Sequence, residues 1–292
     1  MAAFGSFQAF SQSPAPFAIG LQPVDPASFI VLDDEIAQYD HEKRTLYETQ
    51  FDTVFAAENG TLDSQNIVEQ MIRSELERAR PQRLSILRQE DKSLPPLARA
   101  ALLVQDDLVL MRKQPAGWAL VAASLCFPSS WSLSEKFGHP MHVIHGPVPM
   151  EQKMHDRIAR IFDHLRPDTP LWRHNWSLED NPRLRQEKNV HQIKAGAKII
   201  SGNKTLYYRS EYQTLHKLEA TKDILFTIGV RMRPTDEMET TDAGRHVLDE
   251  LARQISALSP EERRYKGLED FATALPNALL ERVRRYQQDI AS

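Results

Sequence analysis

Three histidines stand three residues apart in the stretch WSLSEKFGHPMHVIHGPVP, at His139, His142 and His145, in a chain that holds only ten. Imidazole titrates near neutrality and is the commonest metal ligand, so this concentration raises metal or acid–base chemistry. The spacing argues against a three-histidine zinc site. Zinc-binding pairs stand at i,i+4 on a helix or i,i+2 on a strand. Residues three apart on a helix would fan over about 120°, and Pro140 and Pro147 oppose a long helix here. His145 differs from its neighbours. It follows Val143 and Ile144 and precedes Pro-Val-Pro, which places it at the end of a buried segment whose backbone proline holds. Such an imidazole is either a hydrogen-bonded core residue or the single proximal ligand that a haem iron needs. His155, His164, His174 and His191 are the other candidates.

The second cluster is YYRSEYQTL. Strand alternation puts Arg209, Glu211 and Gln213 on one face, and Tyr208, Ser210 and Tyr212 on the other. The first face is either solvated on an edge strand or buried as a polar wall whose charges must be paired. In the buried case an arginine there can hold a propionate and a glutamate can hold a cationic amine. In WRHNW, Trp172 and Trp176 share a face with His174 between them, as core aromatics or as walls for a flat cofactor.

The elements that position these residues follow from periodicity. Ile36, Tyr39, Lys43, Leu46 and Tyr47 recur at helical spacing, and TLDSQNIVEQMIRSELERARP predicts a second helix capped by Ser64 with Ile67, Met71 and Leu76 on its apolar stripe. After Pro95-Pro96, LARAALLVQDDLVLMRK reads as two short strands separated by Asp106-Asp107, and GWALVAASLCFP as a third. Ser132 and Glu135 form a capping-box pattern for a short helix that Gly138 stops. MEQKMHDRIARIFDHLRP is strongly amphipathic, with Met154, Ile158, Ile161, Phe162 and Leu165 on one face. PLWRHNWSLED, TLYYRSEYQTLHKL and DILFTIGVRM predict three more strands, and the C-terminus is helical with a break expected at Pro276.

The predicted class is α+β, an antiparallel sheet core interrupted once by helices, with helical N- and C-terminal segments. That order is the one seen in PAS-like folds. Residues 1–20 read as a loose tail, 21–95 as a helical N-terminal segment, 96–233 as the core and 234–292 as helices packing on it.

Hydrophobic residues at 41% and charged residues at 26% are those of a globular protein, and a net charge of −4 offers no basic excess for nucleic acid. The single cysteine, Cys126, excludes an intrachain disulfide, and its apolar surroundings predict a buried, inert thiol. No run of about 18 apolar residues is present, so no membrane span is expected. The N-terminus lacks the features of a signal peptide, which makes the cytoplasm the expected location. No GxGxxG, GxxxxGK[ST] or GxSxG motif occurs.

Four stretches, GLQPVDPASFI, GWALVAASLCFPSSWSLSEKFGHPMHVIHGPVP, LWRHNWSL and YYRSEYQTLHKLEATKDILFTIGVRM, occur in this order over about residues 17–235. Together they resemble the haem-dependent oxidative N-demethylase alpha-subunit family. The resemblance implies a PAS-like haem b domain that uses oxygen to remove a methyl group from a small secondary amine such as dimethylamine, with release of formaldehyde. Electrons would come from NAD(P)H through a separate reductase with flavin (FMN) and an iron–sulfur cluster. The lack of nucleotide and cysteine-cluster motifs fits that division of labour.

The IHGPVP stretch matches the family's Ile-His-x-Pro-Val-Pro signature, which points to His145 as the iron ligand. WRHNW matches at Arg173, Asn175 and Trp176, and RSEYQTL at Arg209, Glu211, Gln213, Thr214 and Leu215. Charge logic makes Arg209 or Arg173 the expected anchor of a propionate and Glu211 the expected contact of the substrate ammonium, with Trp176 lining the cofactor. His155 lies on the helix that carries the axial histidine in PAS-type haem sensors, and stands next in line with His191. Tyr212 and Ser130 replace arginines usual in the family, which points to an altered propionate or substrate environment. Two other readings remain open, a haem-binding PAS-type sensor without turnover and a haem-free interaction protein.

Overall fold

The computed structural model describes residues 20–26, 29–146, 148, 152–186, 206–269, 271 and 273–291. His191 and the tail residues 1–19 lie outside them. The chain enters through a two-residue strand β1 (Gln22–Pro23) and helix α1 (Ile36–Val54), which runs directly into a short strand β2 (Phe55–Ala57). Helix α2 (Leu62–Ala79) and two 3-10 turns lead to α3 (Pro96–Leu102) and the hairpin β3 (Asp107–Gln114) and β4 (Gly117–Ser124). Three helices, α4 (Leu133–Lys136), α5 (Met141–Ile144) and α6 (Gln152–His164), separate this hairpin from β5 (Leu171–Glu179), β6 (Tyr207–Lys217) and β7 (Ile224–Pro234). The C-terminal part is α7 (Thr235–Met238), α8 (Asp242–Ala257), α9 (Pro260–Tyr265) and α10 (Ala274–Ala291).

All seven strands join one antiparallel sheet in the order β1-β5-β6-β7-β3-β4-β2. The α+β class stands. The register aligns Arg173, Gln213 and Ile228 across three strands, and Asn175, Glu211 and Val230 beside them. That face also carries Val109, Met111 and Leu215, and packs against Tyr39 of α1 and Phe162 of α6. The opposite face is covered in two parts. Helices α2 and α3 bury Leu108, Leu110 and Leu225, and helices α8 and α10 bury Trp176, Leu178 and Tyr208.

Several local expectations change. Asp106-Asp107 is not a hairpin turn, because the run before it is helix α3. Pro96 sits in its first turn and alanine dominates its interior, both helix-favouring features. The two carboxylates are buried instead. Asp107 accepts hydrogen bonds from the backbone N–H groups of Cys126 and Phe127, both at 2.8 Å. Asp106 lies so close to Gly229 that a Cβ there would stand 2.4 Å from Oδ1.

Ser64 lies inside α2 rather than capping it, and its hydroxyl donates to Asp223 at 2.6 Å. The buried stripe of that helix is Val68, Ile72 and Leu76, each contributing about 1.5–3 kcal/mol; Ile67 and Met71 flank it half-buried. Pro276 falls in the first turn of α10, where its missing N–H is harmless, so it starts the helix instead of breaking it. The capping box at Ser132 forms as expected, with its N–H donating to Glu135 Oε2 at 2.9 Å, and Gly138 ends that turn at φ +74°.

Candidate functional site

A cavity of about 800 Å³ lies between the Arg173–Gln213–Ile228 face of the sheet and helices α4, α5 and α6. This is in the upper part of the range for cofactor sites, roughly 300–1,000 Å³. Alternation along β3, β4 and β7 supplies its apolar wall, including Val109, Met111, Leu120 and Ile228. The amphipathic stripe of α6 supplies Met154, Ile158 and Phe162 opposite. Strand β5 pairs with β1 only at Leu171 and Trp172. Beyond that point the cavity continues around its edge to Gln254 of α8 and to Tyr265 and Lys266 at the end of α9.

The face carrying Arg209, Glu211 and Gln213 is the buried polar wall, and the solvated alternative falls away. Glu211 Oε2 accepts from Asn175 Nδ2 at 3.1 Å and from Gln213 Nε2 at 2.9 Å, and Oε1 stands 3.4 Å from Arg209 Nε. Arg173 and Arg209 share this face but not their surroundings. Arg209 is fully buried and donates to the carbonyls of Leu184 at 2.8 Å and Phe127 at 2.7 Å, so its guanidinium braces two loops against β6 and does not line the cavity. Arg173 does line it, and its Nε is shielded from solvent and meets no acceptor among the described residues. Burial lowers its pKa, against the opposing pull of Glu211.

His145 caps the short helix α5, and the segment before it is only partly buried. Val143 before it is 45% exposed. The imidazole lines the cavity, and its Nδ1 stands 3.0 Å from the Met141 carbonyl. A carbonyl only accepts, so Nδ1 carries the proton and Nε2 is left with its lone pair. Burial outweighs that hydrogen bond and, with the charge of Arg173, pushes the pKa down to about 4, so the ring is neutral at pH 7. A neutral imidazole whose second nitrogen donates to a carbonyl is the arrangement of a metal-ligating histidine. His139, His142 and His164 are exposed, and His155 is half-buried outside the cavity lining. His174 lines the cavity near the β5 edge, and burial followed by Arg173 holds its pKa near 3. No cluster of three or more His, Cys, Asp or Glu residues able to hold a metal occurs among the described residues.

Trp176 is both core and wall. It is buried against α8, with its Nε1 donating to Gln254 Oε1 at 2.7 Å, and it lines the cavity. Lys266 was not singled out from the sequence. Its Nζ donates to the Trp176 carbonyl at 2.6 Å and lies 4.1 Å from the indole centroid. The only local signal was the capping box Ser259–Glu262 and Gly267 at φ +66°, which mark a short helix and its stop but not where its end docks. Of the two replaced arginines, Ser130 lines the cavity in a left-handed conformation at φ +64°. Tyr212 faces away from Glu211 and packs against Trp172 in a tilted ring pair, with centroids 5.5 Å apart.

His145, Arg173, Trp176 and Glu211 thus converge on one cavity. The residues fit a haem: a neutral imidazole for the iron, apolar walls for the macrocycle, and a cation with a buried donor lacking a partner for a carboxylate. No helix among the described residues is long and apolar enough to cross a membrane. Residues 20–275 match the family model described as haem-dependent oxidative N-demethylase, alpha subunit-like. That name makes the family one of haem-dependent oxidoreductases and implies a partner subunit. The match covers most of the chain and includes every element of the cavity, so this protein belongs to the haem-dependent oxidative N-demethylase alpha subunit-like family.

Proposed function

We propose that the chain is a haem b monooxygenase that removes a methyl group from a small amine of the dimethylamine type, with His145 holding the iron. The observation that carries this is the neutral His145 ring, donating from Nδ1 to Met141 O inside a large apolar cavity. The PAS-like reading of the core is supported by two strands, helices and three strands in sequence, with β3 and β7, the first and last of them, paired at the centre. Residues 96–233 would form this unit, with 21–95 and 234–292 covering it.

When bound, haem supplies the activation of O2 for insertion of one oxygen into an N-methyl C–H bond. Two electrons and two protons accompany the insertion, and the second oxygen leaves as water. The carbinolamine product loses formaldehyde and leaves the demethylated amine. The chain's own residues prepare this. Arg173 offers its guanidinium to a propionate. Glu211, fixed by Asn175 and Gln213, keeps lone-pair capacity for an ammonium donor. Met111, Leu120 and Phe162 form an apolar wall that excludes water from the methyl group. Electrons would come from NAD(P)H through a separate flavin and iron–sulfur reductase in the cytoplasm.

The test is an absorbance spectrum of haem-loaded protein beside His145→Ala, followed by a formaldehyde assay with candidate amines. A Soret band that shifts on reduction and is altered in the variant is the expected result. A band unchanged by the substitution moves the ligand elsewhere, and no formaldehyde from any amine removes the catalytic reading.

A further inference from the structure

The charged groups lining the cavity are unbalanced. Among the described residues they are Lys136, Arg173, Arg264 and Lys266 against Glu135 and Glu211, a positive surplus that the pairing of Arg264 with Glu269 reduces to one. Low pKa values keep His145 and His174 from adding to it at pH 7. A cavity built only for a small cation would carry the opposite sign. Two cations on this lining, Arg173 and Lys266, match an occupant with two carboxylates, as a porphyrin with two propionates is.

Two of the four cations lie toward solvent, Lys136 half-buried and Arg264 exposed. Lys136 donates to the Ile144 carbonyl at 2.6 Å, and Arg264 pairs with Glu269 at 3.1 Å. Arg173 and Lys266 lie deeper, and Lys266 feels Arg173 together with the carboxylates of Glu211, Glu262 and Glu179. They come from opposite directions. Arg173 projects from β5, and Lys266 reaches over the β5 edge from the end of α9, held by the carbonyl and indole face of Trp176. We propose that Lys266 is a second carboxylate anchor for the cofactor, so that the C-terminal segment completes the haem site; this rests on the haem reading of the cavity. Burial pulls the Lys266 ammonium down to about 8, and an adjacent carboxylate restores its charge.

The experiment loads the full chain and Lys266→Met with haem b or with haem dimethyl ester, whose propionates are blocked, and follows haem transfer to an excess of apoglobin. With haem b, Lys266→Met is expected to keep a Soret band but to lose haem roughly tenfold faster, and Lys266→Arg to restore the wild-type rate. With the ester, wild type and Lys266→Met should lose the cofactor at the same rate. Unchanged loss of haem b from Lys266→Met overturns the proposal. So does equal acceleration with both porphyrins, which would assign Lys266 to packing on Trp176. A wild type that shows no Soret band with either porphyrin overturns the haem reading itself, and the anchor with it.

Discussion

Arg173 and Arg209 share one face of adjacent strands, and replacing each by methionine should have opposite consequences. Arg209→Met removes two charge-assisted hydrogen bonds to buried carbonyls, at 2.8 and 2.7 Å, and the cation beside Glu211. Such bonds contribute about 1.5–3 kcal/mol each. Relief of the guanidinium's own desolvation offsets part of this, and breaking a buried charged contact from one side costs about 3–5 kcal/mol net. That is a large share of a total stability of roughly 5–15 kcal/mol. At about 2–4 °C per kcal/mol for a chain of this size class, the haem-free variant should melt roughly 6–20 °C lower. Arg173→Met gives up no hydrogen bond at Nε, so its haem-free stability should stay within about 1 kcal/mol of wild type while haem affinity falls. Thermal melts of the haem-free proteins, paired with Soret titrations, read both quantities. An Arg209→Met protein that melts with wild type but takes up no haem would place Arg209 at the cofactor. An Arg173→Met protein that melts as low as Arg209→Met would make Arg173 structural. Either result refutes the division of labour.

Three further outcomes are expected. Burial raises the Asp106 carboxyl to about 6, so the folded state holds that proton more tightly than the unfolded chain does; its contribution is complete below about pH 4 and is lost as pH rises to about 6, an amount of roughly 3 kcal/mol. Asp106→Asn should therefore gain on wild type across that window in urea midpoints, and a difference that is flat from pH 4 to 7 would refute it. Burial pushes the Cys126 thiol to about 12, so iodoacetamide at pH 8 should label it only after unfolding in urea; rapid labelling of the native protein would contradict its placement. Glu211→Gln should keep the Soret band but weaken amine binding roughly ten- to hundredfold, the loss of one charge-assisted contact, measured as KM in the formaldehyde assay; unchanged KM and turnover would remove Glu211 from the amine's site.

What the sequence made legible was local. Period-two alternation placed Arg209, Glu211 and Gln213 on one face of β6, and period 3.6 placed Ile158 and Phe162 on the cavity side of α6. Both patterns are properties of a few consecutive residues. The fate of a buried charge is not, because its partner is chosen by topology. Asp106-Asp107 has the composition of a turn, yet Asp107 is fixed by the N–H groups of Cys126 and Phe127, which the β3–β4 hairpin brings back to it. Arg209 and Arg173 are indistinguishable by type and alternation. One finds the carbonyls of Phe127 and Leu184 within reach, and the other faces a cavity. Ser64 looked like a cap because its true partner, Asp223, lies 159 residues away.

The same reasoning explains Lys266. It is separated from Trp176 by 90 residues and meets it only because β1 covers just two residues of β5, which leaves the rest of that edge for the C-terminal segment. The family motifs marked the strands and helix α5, where His145, Arg173, Trp176 and Glu211 sit in recognisable strings. The C-terminal segment has no string of its own. It contributes Gln254, Arg264, Tyr265 and Lys266, whose meeting with the strand residues exists only after folding.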